Sequence, residues 1–137
     1  MVKNNAKKLG KSHRFGDLVA IMRTLLGEKG CRWDKSQNHK TLIKYLREES
    51  AEVEDAIRRE DWNNLKEELG DLMLQIVFHS VLAERENLFD IKDVLREINS
   101  KLVRRHPHVF GGKKAETPAE VLENWNRIKL REKGKGK

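Results

Sequence analysis

Residues 42–86 read LIKYLREESAEVEDAIRREDWNNLKEELGDLMLQIVFHSVLAERE. Leu42, Leu46, Val53 and Ile57 recur at helical spacing, and so do Leu65, Leu69, Leu72, Ile76 and Ala83. The stretch therefore predicts two helices, about 41–59 and 62–86, with Asp61 as the N-cap of the second. Each carries an acidic pair three residues apart: Glu49 with Glu52, and Glu68 with Asp71. That spacing sends both carboxylates of a pair off one side of the helix. Glu49 also falls within the apolar stripe of its helix. A carboxylate there is costly unless something positive meets it. No Lys or Arg shares the stripe. The counter-charge that fits is a metal ion bridging the two helices.

The second of these helices is apolar nearly all round, because Met73, Leu74, Val77 and Phe78 fill its other sides. A helix of that kind is central in a bundle, or serves an oligomer interface as well as a core. Upstream, Phe15, Leu18, Val19, Met22, Leu25 and Leu26 predict a helix over 15–26, which Gly27 and Gly30 end. Residues 27–40, GEKGCRWDKSQNHK, have no periodicity and read as a loop holding Cys31, Trp33, Asp34 and His39. Downstream, Asp90 reads as the cap of a helix built on Ile91, Val94, Leu95, Ile98 and Leu102, with Pro107 beyond its end. A second loop, 106–117, leads to Thr117-Pro118-x-Glu120, a capping box with proline at the first helical position. The fold expected is all-α: a helical bundle of about five helices, with an acidic metal site between two core helices. It forms one domain over 15–133, between a basic flexible tail at 1–14 and a disordered tail at 134–137.

Four carboxylates make an oxygen-only donor set, which suits Mg²⁺, or Mn²⁺ in its place, over zinc. A ferritin-like di-iron site needs Glu-x-x-His, and none of the five histidines has Glu three residues before it. The phosphate-binding loop Gly-x-x-x-x-Gly-Lys-Ser/Thr and the Gly-x-Ser-x-Gly elbow are both missing. Metal-bound carboxylates with nearby cations are the parts that hold a polyphosphate and offset charge in phosphoryl transfer. Lys101 and Arg105 stand at i,i+4 beside an apolar face, where a solvated edge is the plain alternative. Trp125 and Lys129 share a face of the last helix. Trp33 or Trp125 could stack a base, although Trp125 also fits a core position. A water activated by metal is the simplest mechanism these residues support.

The net charge of +7 is unevenly spread. Residues 1–14 carry +5 and 127–137 carry +5, leaving the body at −3. Basic ends suit frayed, solubilising tails. They also define the alternative function, a nucleic-acid-binding or regulatory module acting through those tails. One cysteine excludes an internal disulfide and points to a reducing compartment. No apolar run approaches a membrane span and no signal-peptide pattern opens the chain, so a cytoplasmic location without a membrane partner is expected.

Several segments together resemble the MazG family of nucleoside triphosphate pyrophosphohydrolases, in the all-α NTP pyrophosphatase group. They are GCRWDKSQNHKTLIKYLREESAEVEDAI (30–57), EELGDLMLQIVFHSVLAE (67–84), KLVRRHPHVFG (101–111) and ENWNRIKLREK (123–133). The family signature Glu-Glu-x-x-Glu, a gap, then Glu-x-x-Asp is matched by Glu48-Glu49-x-x-Glu52 and Glu68-x-x-Asp71. The resemblance implies a Mg²⁺-dependent reaction, NTP plus water giving NMP plus pyrophosphate, of a house-cleaning kind. It implies a homodimer or higher homo-oligomer whose bundle completes the site, with nucleoside triphosphates as partners and nucleic acid not expected. By position, Glu49, Glu52, Glu68 and Asp71 would be metal ligands. Glu48 would orient a ligand or water, and Lys101 and Arg105 would contact phosphates, Lys101 counting with Glu48, Glu49 and Glu52 as catalytic. Trp125 and Lys129 would flank the nucleotide, and Trp33 would serve the base or sugar pocket. Two departures lie in the loop. Arg32 stands where the family has proline, and Gln37-Asn38-His39 stands for Gln-Thr-His. They bear on substrate preference rather than on metal chemistry.

Overall fold

The structure, a computed structural model, describes residues 2–135, with side chains described over 6–134. Among the described residues it is all helix and turn, with no strand. The elements are α1 (Val2–Leu9), α2 (Phe15–Leu25), α3 (Arg32–Lys35), α4 (Ile43–Arg58), α5 (Trp62–Arg85), α6 (Ile91–Arg105), α7 (Pro107–Phe110) and α8 (Pro118–Lys135). The five helices expected from periodicity are α2, α4, α5, α6 and α8. Two four-residue helices, α3 and α7, occupy the stretches expected as loops, being too short to leave a periodic signal. A helix, α1, stands within the stretch expected as a flexible tail, and α8 runs through 134 and 135. The remainder of the C-terminal tail, 136–137, lies outside the described residues. The described residues fall into two compact units, one through Ile91 and one from Lys92 onward. Among the described residues, no helix is long and apolar enough to cross a membrane.

In the first unit α4 packs along α5, and α2 packs on α5. The core is Val19, Met22 and Leu26 from the α2 segment, Leu42 and Ala56 from the α4 segment, and Val77, Phe78, Val81 and Ala83 from α5. Burying a side chain of the size of Met22 or Val77 is worth about 1.5–3 kcal/mol. The buried residues of α5 all lie from Gln75 onward. Its N-terminal half, which bears Glu68 and Asp71, has none. A bidentate ion pair fixes α2 to α5: Arg23 Nη2 donates to Glu84 Oε1 at 2.7 Å and Nε to Oε2 at 3.0 Å. That pairing holds the Glu84 carboxyl below its usual range.

The turn between α4 and α5 sets the acidic pairs against each other. Glu60 adopts φ +52°, its N–H bonds to Ile57 O at 3.1 Å, and the Asp61 N–H bonds to Ala56 O at 3.0 Å. This is a Schellman closure made without glycine. Asp61 then caps α5 as expected, its Oδ1 accepting from Asn64 N at 3.1 Å. One residue thus ends one helix and starts the next, which leaves little freedom in the hairpin. Asn87 at φ +59° closes α5 the same way, with Leu88 N bonding to Ala83 O at 2.9 Å.

The stretch after α2 folds back tightly. Cys31 N bonds to Leu25 O at 2.8 Å. A Cβ on Gly30 would lie 2.0 Å from that same carbonyl oxygen, so only glycine fits. Asn38 and Thr41 then make a reciprocal turn into α4. Asn38 N bonds to Thr41 Oγ1 at 2.8 Å, and Thr41 N to Asn38 Oδ1 at 2.9 Å.

Candidate functional site

Glu49 and Glu52 come from α4, and Glu68 and Asp71 from α5. Each offers a carboxylate oxygen, and these four atoms all lie within 4.8 Å of one another. Ligands around one Mg²⁺ stand about 3–4 Å apart, so the group is close to a ligand set. The neighbours that act on Glu49 are Glu52, Asp71 and Glu68, all of them acidic. Burial, then the charge of Glu52, raises the Glu49 carboxyl above its ordinary range. Glu68 is pushed up to about 7, first by a hydrogen bond with Glu52 and then by burial and the surrounding carboxylates. Two carboxylates share a hydrogen bond only with a proton between them, so the crowding favours a retained proton or a bound cation. Glu49 Oε2 and Glu68 Oε2 are shut off from water and have no hydrogen-bond partner. Orphaned, inward carboxylate oxygens on an all-oxygen donor set fit a hard divalent cation.

Supporting groups surround this cluster. With its amide turned to satisfy both neighbours, Asn64 donates to Glu68 Oε1 at 3.2 Å and accepts from Arg59 Nη2 at 3.0 Å. Gln75, one turn beyond Asp71, is 7% exposed and its Oε1 also lacks a partner. Glu48 is exposed and stands outside the cluster.

Trp33, on α3, is half exposed and meets Tyr45 edge-on, with ring centroids 5.5 Å apart. The segment carrying it is tied down by a contact that sequence reasoning missed. His39 Nδ1 and His79 Nδ1 share a hydrogen bond at 2.8 Å, with the two rings stacked. His79 sits on α5, so the bond joins the loop to the helix of Glu68 and Asp71. Burial, then the His39 charge, lowers the His79 pKa.

The second unit brings the predicted cations and Trp125 together in part. Arg105 is 8% exposed, and its guanidinium lies over the Trp125 ring at 4.8 Å. Arg105 Nη2 donates to Glu132 Oε1 at 2.8 Å, and Arg104 Nε donates to Glu132 Oε2 at 2.8 Å. These two arginines, Arg104 first, pull the Glu132 carboxyl down to about 2. His106 meets the edge of Trp125 at 5.4 Å. Lys101 is half-buried and Lys129 exposed, and neither has an ion-pair partner among the described residues. Glu132 went unnoticed in the sequence, although it stands one turn beyond Lys129.

Residues 37–110 match the family model of the MazG nucleotide pyrophosphohydrolase domain. The chain belongs to the MazG family. The matched stretch contains all four clustered carboxylates, Lys101 and Arg105, whereas Trp33, Trp125 and Lys129 lie outside it. The chain is 46% identical over 123 residues to the nucleoside triphosphate pyrophosphohydrolase/pyrophosphatase MazG of Thermotoga maritima, covering 90% of this chain and 47% of that protein. It is 48% identical over 117 residues to the nucleoside triphosphate pyrophosphohydrolase of Escherichia coli K12, covering 85% of this chain and 44% of that one. The chain thus spans less than half the length of these curated MazG relatives. The crystal structure of a mazG-related protein from Thermotoga maritima superposes with a TM-score of 0.70 at 27% identity, covering 84% of this chain and 98% of that chain.

Proposed function

We propose that this MazG domain hydrolyses nucleoside triphosphates to nucleoside monophosphate and pyrophosphate. The observation that carries the reading is the convergence of Glu49, Glu52, Glu68 and Asp71 within 4.8 Å, with two orphaned oxygens among them. These four residues would hold Mg²⁺, or Mn²⁺ in its place. The bound ion would lower the pKa of a water and neutralise phosphate oxygens.

In the reaction a water oxygen bonds to the α-phosphorus, the α–β bridging P–O bond breaks, and pyrophosphate leaves. The water's proton is released to a carboxylate or to solvent. Glu48, outside the cluster, orients a water or a ligand. Lys101 and the free Nη1 edge of Arg105 contact phosphates, while Glu132 holds the other edge of that guanidinium. Trp125 and Lys129 flank the nucleotide, and Trp33 serves the base or sugar. The His39–His79 bond keeps the Trp33 segment in register with α5. These groups position and offset charge, which is the main work of phosphoryl transfer.

The working form is a homodimer or higher homo-oligomer in the cytoplasm. Leu46 on α4 and Leu69, Met73 and Ile76 on α5 are 38–47% exposed in the single chain. They flank the acidic helices and leave an apolar surface for a second copy. Pyrophosphate release from a panel of NTPs and dNTPs with Mg²⁺, comparing the wild type with Glu52→Gln, tests the reading. Activity in the wild type alone supports it and ranks the bases. Silence across the panel from a folded oligomer refutes it for these substrates.

A further inference from the structure

The second unit contains a cavity of about 370 Å³ that none of the residues assigned above to metal or nucleotide accounts for. Arg104, Lys113, Arg127 and Arg131 line it, against a single carboxylate, Glu132. On α8, Asn124, Arg127, Ile128 and Arg131 follow at i, i+3, i+4 and i+7, which makes one stripe of the helix. Trp125 and Lys129 belong to the neighbouring stripe. Like charges at i,i+4, as Arg127 and Arg131 are, repel unless something offsets them.

The four cations are not equally satisfied. Arg104 is held by Glu132 and by Ser100 Oγ at 3.0 Å. Arg127 is held by Glu123 at 3.1 Å. Arg131 and Lys113 have no side-chain partner among the described residues. Lys113 is nevertheless fixed at its backbone. Its N–H bonds to Pro107 O at 3.0 Å, the Gly111 N–H bonds to the same oxygen at 2.8 Å, and Gly112 makes the bend at φ +73°. A left-handed residue there favours glycine. Pro107 and Ile128 add an apolar wall. Oriented arginines, two free cations and an apolar wall around one cavity are the parts of an oligophosphate site.

We propose that this cavity binds a small oligophosphate, inorganic or carried on a nucleotide, at a site separate from the reacting one. Arg131 and Lys113 supply the free charge, and Arg104 and Arg127 the oriented donors. The side-chain amide of Asn124 adds a neutral donor.

The test is calorimetric titration of the full chain with inorganic tripolyphosphate in EDTA at physiological ionic strength. EDTA keeps any metal-dependent binding at the acidic cluster out of the measurement. The wild type should bind saturably, one per chain. Arg127→Gln/Arg131→Gln should weaken binding at least about tenfold, since two charge-assisted contacts are lost. Lys113→Gln should weaken it less, and Lys101→Gln/Lys129→Gln should leave it unchanged. All five positions are at least partly exposed, and circular dichroism verifies that each variant is folded. A second titration with ATP separates the two sources: tighter binding than tripolyphosphate assigns the apolar wall to a nucleoside, and equal binding assigns the site to inorganic oligophosphate. Absence of saturable wild-type binding overturns the proposal. So does undiminished binding by the Arg127/Arg131 variant, or loss confined to the Lys101/Lys129 variant. A single-stranded oligonucleotide that displaces tripolyphosphate with affinity rising with its length would also overturn it, in favour of a polymer backbone.

Discussion

The two units treat crowded charge in opposite ways. Between α4 and α5, four carboxylates converge on one another, two of their oxygens are orphaned, and Glu68 is pushed up to about 7. Between α6 and α8, Arg104 and Arg105 close on Glu132, whose carboxyl falls to about 2. One cluster is incomplete and the other is finished. An incomplete cluster stores unfavourable electrostatics that a ligand can relieve, whereas a finished one contributes to the fold by itself. The contrast suits the proposed reaction at the carboxylates, with Glu132 holding the edge of Arg105 that does not face phosphate.

The largest effect is expected where the incomplete cluster loses a ligand. Glu49→Gln should lower Mg²⁺-dependent pyrophosphate release by at least about 100-fold, more than outer-shell losses usually cost. The same change should leave the fold intact or raise the metal-free melting temperature, because it removes a half-buried charge crowded by other carboxylates. A drop in metal-free stability would break the comparison.

At the finished cluster the ordering is reversed. Arg105→Met should cost about 1–3 kcal/mol of stability, the usual loss when charged hydrogen bonds are removed from a buried group. Denaturant unfolding measures it. Lys129→Gln, at an exposed cation with no ion-pair partner, should leave stability unchanged within about 0.5 kcal/mol. Equal effects from the two changes would mean that burial over Trp125 contributes nothing.

These contrasts were visible in the sequence to different depths. The acidic cluster was legible because i,i+3 spacing and the missing Lys or Arg are local facts. Asp61 and Thr117 were legible for the same reason. Thr117 Oγ1 accepts from Glu120 N at 3.2 Å, although Glu120 reaches back to Glu116 N rather than to Thr117 N. The Arg105–Glu132 pair joins residues 27 apart, and His39–His79 joins residues 40 apart. Neither has a periodic signature, so packing alone reveals them. The α4–α5 turn was legible from Asp61, but its closure was not: Glu60 takes the left-handed position where the expected marker is glycine. Periodicity also says which residues share a stripe, but not how much of the stripe is covered. Leu46 and Ile57, read as core, are 38% and 51% exposed in the single chain.

A smaller effect, of distinctive sign, separates metal-free from metal-bound protein. Glu68 holds its proton up to about 7 in the folded state, against an ordinary 4.5. The folded state therefore binds protons more tightly than the unfolded one across that window. Metal-free stability should fall as pH rises from about 4.5 to about 7 and stay low above it. Mg²⁺ at pH 8 should restore the melting temperature, in proportion to the logarithm of its concentration once in excess. Differential scanning fluorimetry in EDTA and in Mg²⁺ reads both. A metal-free melting temperature that rises through this window would contradict the shared proton.

The smallest effect runs the other way and belongs to His79. Burial and the neighbouring His39 hold its pKa below 6.5, so the folded state takes up a proton less readily than the unfolded one. Stability from this pair is complete above about 6.5 and is lost as pH falls towards the lowered value. The hydrogen bond has the same dependence, because one Nδ1 must remain an acceptor at 2.8 Å. His39→Leu removes the neighbouring charge and should reduce the acid-side loss. It should also loosen the segment carrying Trp33. The Trp33→Phe difference spectrum isolates that indole from Trp62 and Trp125, and its emission should show more quenching by iodide in the His39→Leu background. Unchanged quenching would mean that the Asn38–Thr41 turn holds the segment without the histidine pair.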